Sequence, residues 1–169
     1  MVSKFKGRRE DQRLVTGRGG YSADWDLPGQ LYASFKRSNR AHALVRAVDL
    51  KPAERVPGVI AILTASDIAA AGFRTLMPIA PLLGREGKKI LIPERPLLAQ
   101  DRVRFVGEEI AMVVAQTREA ARDAADLIEV ELEELSAIIG FDKALAAPLS
   151  VHATISNNVC FDFEYGDAA

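Results

Sequence analysis

Two histidines, one cysteine and a row of glutamates are the side chains best suited to ligating, attacking or moving protons. His42, His152 and Cys160 lie far apart, each without a neighbour at ligand spacing. A protein zinc site needs three or four convergent ligands, so no metal is expected. A single cysteine forms no internal disulfide and cannot hold a cluster that takes four thiolates. Spacing alone leaves Ser–His–Asp chemistry open, but no Gly-x-Ser-x-Gly elbow is present. Gly17-Arg18-Gly19-Gly20 does not match Gly-x-Gly-x-x-Gly and has no clear helix behind it, so it reads as a tight turn. Gly84 to Lys89 fails as a phosphate loop because Lys89 stands where Ser or Thr is required. Glu129, Glu131, Glu133 and Glu134 are most simply the wet face of a strand. On this chemistry the chain holds no catalytic, cofactor-binding or metal residue.

The elements that would position any such group are best marked between Arg102 and Leu135. Ile110 to Ala115 is a run of six apolar residues, the pattern of a strand covered on both faces. Thr117 offers a hydroxyl to cap a helix. Ala121, Ala124, Ala125 and Ile128 then recur at i, i+3, i+4 and i+7 and form one apolar stripe. Ile128, Val130 and Leu132 alternate with glutamates in the next strand. Strand, helix and strand in one sheet would be a right-handed crossover with parallel strands.

The rest of the chain is more broken. Met1 to Asp11 reads as a loose arm, and Leu14-Val15-Thr16 as a short strand. Asp26-Leu27-Pro28-Gly29 is turn chemistry. Gln30 to Lys36 and Leu44 to Leu50 read as two strands that pair antiparallel, and Lys51 to Arg55 as a helical turn with Pro near its start. Val59 to Leu63 is a buried strand, followed by a short helix through Ile68 to Ala71, capped by Thr64 or Ser66 and closed by Gly72. Phe73 to Pro96 holds Pro78, Pro81, Pro93 and Pro96 and reads as loop, with one short strand at Ile90 to Ile92. Asp142 to Ala146 suggests a last helix. The expected division is an arm (1–12), one domain (13–150) and a tail (151–169), the tail being disordered or free to add a strand to another copy.

A length of 169 residues with 49% apolar and 27% charged residues suits one globular domain. A net charge of −1 argues against a general nucleic-acid or anionic-membrane binder. No apolar run approaches the roughly 18 residues of a membrane span. Arg8-Arg9 is followed by charged residues instead of an apolar segment, so export is not expected and the cytoplasm is.

Several strings, in order, resemble one family. They are Arg13-Leu14 with Thr16-Gly17, Tyr21 with Asp24, Pro28-Gly29, Arg37-Ser38 with Ala41-His42-Ala43, and Pro57-Gly58-Val59. Leu63-Thr64 with Asp67, Arg95-Pro96-Leu97-Leu98-Ala99, Val103-Arg104-Phe105-Val106-Gly107-Glu108 and Val113-Val114-Ala115 continue the series. Together they resemble the start of the molybdenum-cofactor-binding large subunit of the xanthine dehydrogenase, aldehyde oxidase and carbon monoxide dehydrogenase family. One departure is local: Asn39 stands where the family usually has Pro after Arg-Ser.

The resemblance implies an N-terminal α/β hammerhead domain: an α+β fold with a mixed sheet, a β-α-β unit and flanking helices. It implies a molybdenum–pterin cofactor for the complete enzyme, with iron–sulphur and FAD centres on other subunits or domains. The pterin-binding residues and the catalytic glutamate of that family belong to a region after the hammerhead, so no catalytic residue carries over. The expected partners are the cofactor-binding remainder of the large subunit and the iron–sulphur and flavin subunits, with a homo-oligomer of the isolated domain as a further expectation. Arg37, Ser38, His42, Gly107 and Glu108 sit on turns at strand ends and are the candidate interface residues. A structural and assembly role in a molybdenum hydroxylase is the leading reading. An independent ligand- or protein-binding module derived from that domain is the alternative, and an enzyme in its own right is the third.

Overall fold

The computed structural model describes residues 7, 8, 10–77 and 83–166. In chain order its named elements are α1 (Asp11–Val15), β1 (Tyr32–Arg37), β2 (Ala43–Asp49), α2 (Lys51–Glu54), β3 (Val59–Thr64) and α3 (Ala65–Ala70). There follow β4 (Arg102–Val103), β5 (Glu109–Ala115), α4 (Arg118–Leu127), β6 (Glu129–Glu134) and α5 (Phe141–Ala146). The chain divides into two units, Met1–Gln30 and Leu31–Ala169.

Within the first unit, Leu14 and Val15 belong to α1, not to the expected strand. Asp11 accepts a hydrogen bond from the Arg8 amide at 2.8 Å, and the Thr16 hydroxyl donates to the Gln12 carbonyl at 2.7 Å. These local bonds favour a helical turn, and three apolar-to-neutral residues are too short a run to oppose it. A 3-10 turn at Ser22–Asp24 follows, closed by the Tyr21 amide donating to Asp24 Oδ2 at 2.8 Å.

The second unit is built on two three-stranded sheets, ordered β1-β5-β3 and β4-β2-β6. Every ladder among the described residues is antiparallel. The α+β hammerhead class holds, but the mixed sheet and the parallel pairing of β5 with β6 do not. Both edges of β5 are already bonded, to β1 and to β3. Helix α4 therefore carries the chain past its own sheet to the rim of the other, where β6 pairs with β2. There, Arg46 meets Glu133 and Arg40 meets Glu134, each at 2.5 Å, which suits a strand with one wet face.

The expected hairpin of β1 with β2 is also corrected, since the two strands lie in different sheets. After Arg37 the chain stays bonded to the β5 side: the Ser38 amide donates to the Glu108 carbonyl (2.9 Å), and Gly107 N donates to the Ser38 carbonyl (2.8 Å). The Ser38 hydroxyl then accepts from the Arg40 amide at 3.0 Å and turns the chain away.

β5 feeds both core clusters. Ala111 and Val113 pack with Ala53, Ala124, Ala125 and Ile128. Ile110 packs with Ala43, Ala99 and Val103. Half-buried Val48 and Val130 touch both clusters and join them. The expected α4 is present: the Thr117 hydroxyl accepts from Ala120 N at 3.1 Å, and Ala121, Ala124 and Ala125 are buried.

The described part of the proline-rich stretch is loop, as expected, apart from a 3-10 turn at Arg85–Gly87; Pro78 to Leu82 lie outside the described residues, as do residues 1–6 and 9 of the arm and 167–169 of the tail. Ile90 to Ile92 is not a strand; Leu83 and Lys89 form an isolated bridge instead. The described part of the tail is not free but bonded to the loop at residues 85–91 of the same chain. Leu91 N donates to the Cys160 carbonyl (2.9 Å) and Arg85 N to the Asp162 carbonyl (2.8 Å). The Arg85 guanidinium lies 3.5 Å from Asp162 and 3.4 Å from Glu164.

Ala125 is 3% exposed beneath α4. Ala125→Leu should overpack this contact and lower stability by about 1–3 kcal/mol. Glu131→Gln, on the exposed face of β6, should shift it by less than about 0.5 kcal/mol. Urea midpoints compare the two, and equal midpoints would contradict the assignment of faces.

Candidate functional site

The turn from Arg104 to Glu108, between β4 and β5, gathers four of the five candidate residues. Arg37 Nη1 donates to the Gly107 carbonyl at 2.8 Å and to Glu109 Oε1 at 2.5 Å. Ser38 is buried and bonded to Glu108 and Gly107 through its main chain. Gly107 has φ +90, and a Cβ there would meet nothing within 4 Å, so the backbone angle alone calls for glycine. Glu108 is 7% exposed, and its carboxylate accepts from the Arg104 amide within the turn. These four residues hold one another.

His42 stands apart from them. Its Nδ1 lies 2.8 Å from the Ser136 carbonyl, which can only accept, so Nδ1 donates. Its Nε2 is buried without a partner among the described residues. Arg104 Nε is in the same condition. Both side chains line one small cavity of about 170 Å³, whose other walls include Phe105, Val106 and Ile138.

Arg104 and Phe105 also wall a larger groove of about 650 Å³, with Phe35, Leu76, Leu97, Met112 and His152. By sequence alone His152 has no partner at ligand spacing, and Arg104 and Phe105 carry no role of their own. The signal for the latter two was their place in the Val103 to Glu108 string; for His152 there was none, because the tail that carries it has no periodic pattern. Burial, and secondarily the Arg104 charge, holds the His152 imidazole below its ordinary value of 6.5.

Among the described residues no group of three or more His, Cys, Asp or Glu side chains converges to hold a metal. A molybdenum–pterin group does not fit the groove: its wall is largely apolar, and its charged lining sets Glu94, Glu108 and Glu109 against only Arg95 and Arg104, a poor setting for an anionic ligand. The single thiol, Cys160, is half-buried. The largely apolar wall of the groove suits contact with an apolar surface.

The fold is thus an α+β unit with two antiparallel sheets, a braced turn and an apolar groove. The family model for the aldehyde oxidase and xanthine dehydrogenase a/b hammerhead domain matches residues 16–136, and the chain belongs to that family. It is 41% identical to the nicotine 6-hydroxylase large subunit of Paenarthrobacter nicotinovorans, over 86% of this chain and 17% of that one. The crystal structure of quinoline 2-oxidoreductase from Pseudomonas putida 86 superposes with a TM-score of 0.78 at 40% identity, over 90% of this chain and 19% of that one. The nicotinate dehydrogenase large molybdopterin subunit of Eubacterium barkeri is 31% identical over 99% of this chain and 36% of that subunit. The chain thus spans about a sixth to a third of the length of these relatives. No helix among the described residues is long and apolar enough to cross a membrane.

Glu108→Ala should leave the Arg104 amide without its acceptor and cost about 1–3 kcal/mol, while Glu108→Gln, which keeps an acceptor, should cost less. Thermal melts rank the two, and the reverse order would contradict the bracing role. A second expectation concerns pH. The unfolded chain takes up a proton at His152 before the folded chain does, so stability is full above pH 6.5 and falls as pH drops below it. Urea melts at pH 7.5 and 5.5 should show a smaller loss for His152→Gln than for the parent; an equal or larger loss would contradict the shielding of His152.

Proposed function

We propose that the chain is the N-terminal structural and assembly domain of a molybdenum hydroxylase large subunit, inactive by itself. The observation that carries this reading is the asymmetry of the matches, which cover 86–99% of this chain but only 17–36% of the relatives. The remainder of such a subunit would hold the molybdenum–pterin cofactor and the catalytic glutamate, with iron–sulphur and FAD centres on partner subunits or domains. Arg37, Ser38, His42, Gly107 and Glu108 would shape the surface presented to that remainder, and residues 151–169 would lead towards it. The cofactor carries the bond-making chemistry in enzymes of this kind, and the protein supplies binding and orientation. Here that means a rigid support: the Arg37–Glu109 pair and the Ser38–Gly107 bond fix the turn before any partner arrives.

A separately folding module that binds a ligand or protein through the apolar groove is the second reading, favoured by the groove itself. The DNA after codon 169 separates the two. A reading frame there, continuous or adjacent, that encodes a cofactor-binding region supports assembly; unrelated sequence supports the module.

The purified 169-residue chain should be colourless and metal-free, and should reduce no dye with aldehydes or purines. Elemental analysis, a visible spectrum and a dye assay check this. Stoichiometric molybdenum, or substrate-dependent dye reduction by this chain alone, would overturn the assembly reading.

A further inference from the structure

We propose that the groove beside the Arg104–Glu108 turn is the docking face for the rest of the same large subunit. This rests on the assembly reading and names its surface. The groove brings together Phe35, Leu76, Leu97, Phe105 and Met112 from widely separated parts of the sequence. Phe105 is 53% exposed and Leu76 54% exposed. Clustered apolar surface of this kind marks a contact site, whereas single exposed apolar residues do not.

The adjoining cavity is polar where Arg104 Nε and His42 Nε2 line it, both without partners among the described residues. The occupant is an apolar segment that seats side chains in the groove. The relatives indicate its source, since 64–83% of their length has no counterpart in this chain. A second copy suits the groove less well. Its own exposed apolar ridge, Phe161, Phe163 and Tyr165, is interleaved with Asp162 and Glu164 and would approach the groove's Glu94, Glu108 and Glu109.

The experiment measures binding of the 169-residue chain to the cofactor-binding polypeptide encoded after codon 169 or in the adjacent reading frame. Leu76→Asp and Phe105→Asp alter exposed groove positions, and Phe141→Asp alters a still more exposed apolar position on α5 outside it. Circular dichroism melts confirm that each variant folds. The groove variants should weaken binding at least roughly 30-fold, and the α5 variant no more than roughly threefold. Groove variants that bind as tightly as the parent, or an equal loss in all three, would overturn the proposal while leaving assembly intact. A parent chain that does not bind at all would overturn assembly, and the docking face with it. Self-association abolished by Phe105→Asp would show a second copy as the occupant and overturn the proposal.

Discussion

The structure depends on the burial of β5. Its main chain is bonded along both edges, to β1 and β3, and Ile110, Ala111, Val113 and Ala115 are buried. A strand in that position needs a close-packed cover. Alanines at 121, 124 and 125 let α4 approach it, and a larger side chain at any of them would hold the helix off the sheet. The same strand reaches the other sheet through Ile110, which packs with Ala43 and Val103. Two sheets that share no ladder are therefore joined by side-chain packing, with main-chain bonds such as Ala99 N to the Glu109 carbonyl at the rim. Because edge and face are both used, nothing pairs beside β5 in parallel, and the chain leaving α4 has to enter the second sheet.

That constraint explains what was legible in the sequence. Periodicity reports which face of an element is covered, so α4, the apolar run of β5 and the alternating glutamates of β6 were plain. It does not report which strand lies alongside. The crossover was read as parallel, and β1 and β2 as a hairpin, because sequence neighbours usually pair. The deciding bonds, Ser38 to Glu108 and Gly107 to Ser38, join residues about seventy positions apart and leave no local trace. Leu14 and Val15 show the opposite limit, where local hydrogen bonds at Asp11 and Thr16 outweigh the strand preference of a short apolar run.

The candidate site was legible in part for the same reason. Arg37, Ser38, Gly107 and Glu108 stood out as residues of turns, and turns at strand ends are where chain segments meet. They brace one another, as the Arg37 bonds to Gly107 and Glu109 show. The concave surfaces beside them were not legible, since the groove draws on residues from Phe35 to His152 and needs the fold to assemble it. The orphaned nitrogens of His42 and Arg104 are visible only once burial is known.

The central claim is that this chain is a prebuilt support whose turn-side surface is completed by the remainder of a larger subunit. Amide hydrogen exchange, read by mass spectrometry on the chain alone and on the chain joined to that remainder, tests it most directly. The amides of β5 should be the slowest in both states, since the strand opens only with the whole domain. New protection on joining should appear at residues 93–98 and 104–106. Fast exchange of β5 in the chain alone, or new protection confined to β6 and α5, would contradict the account.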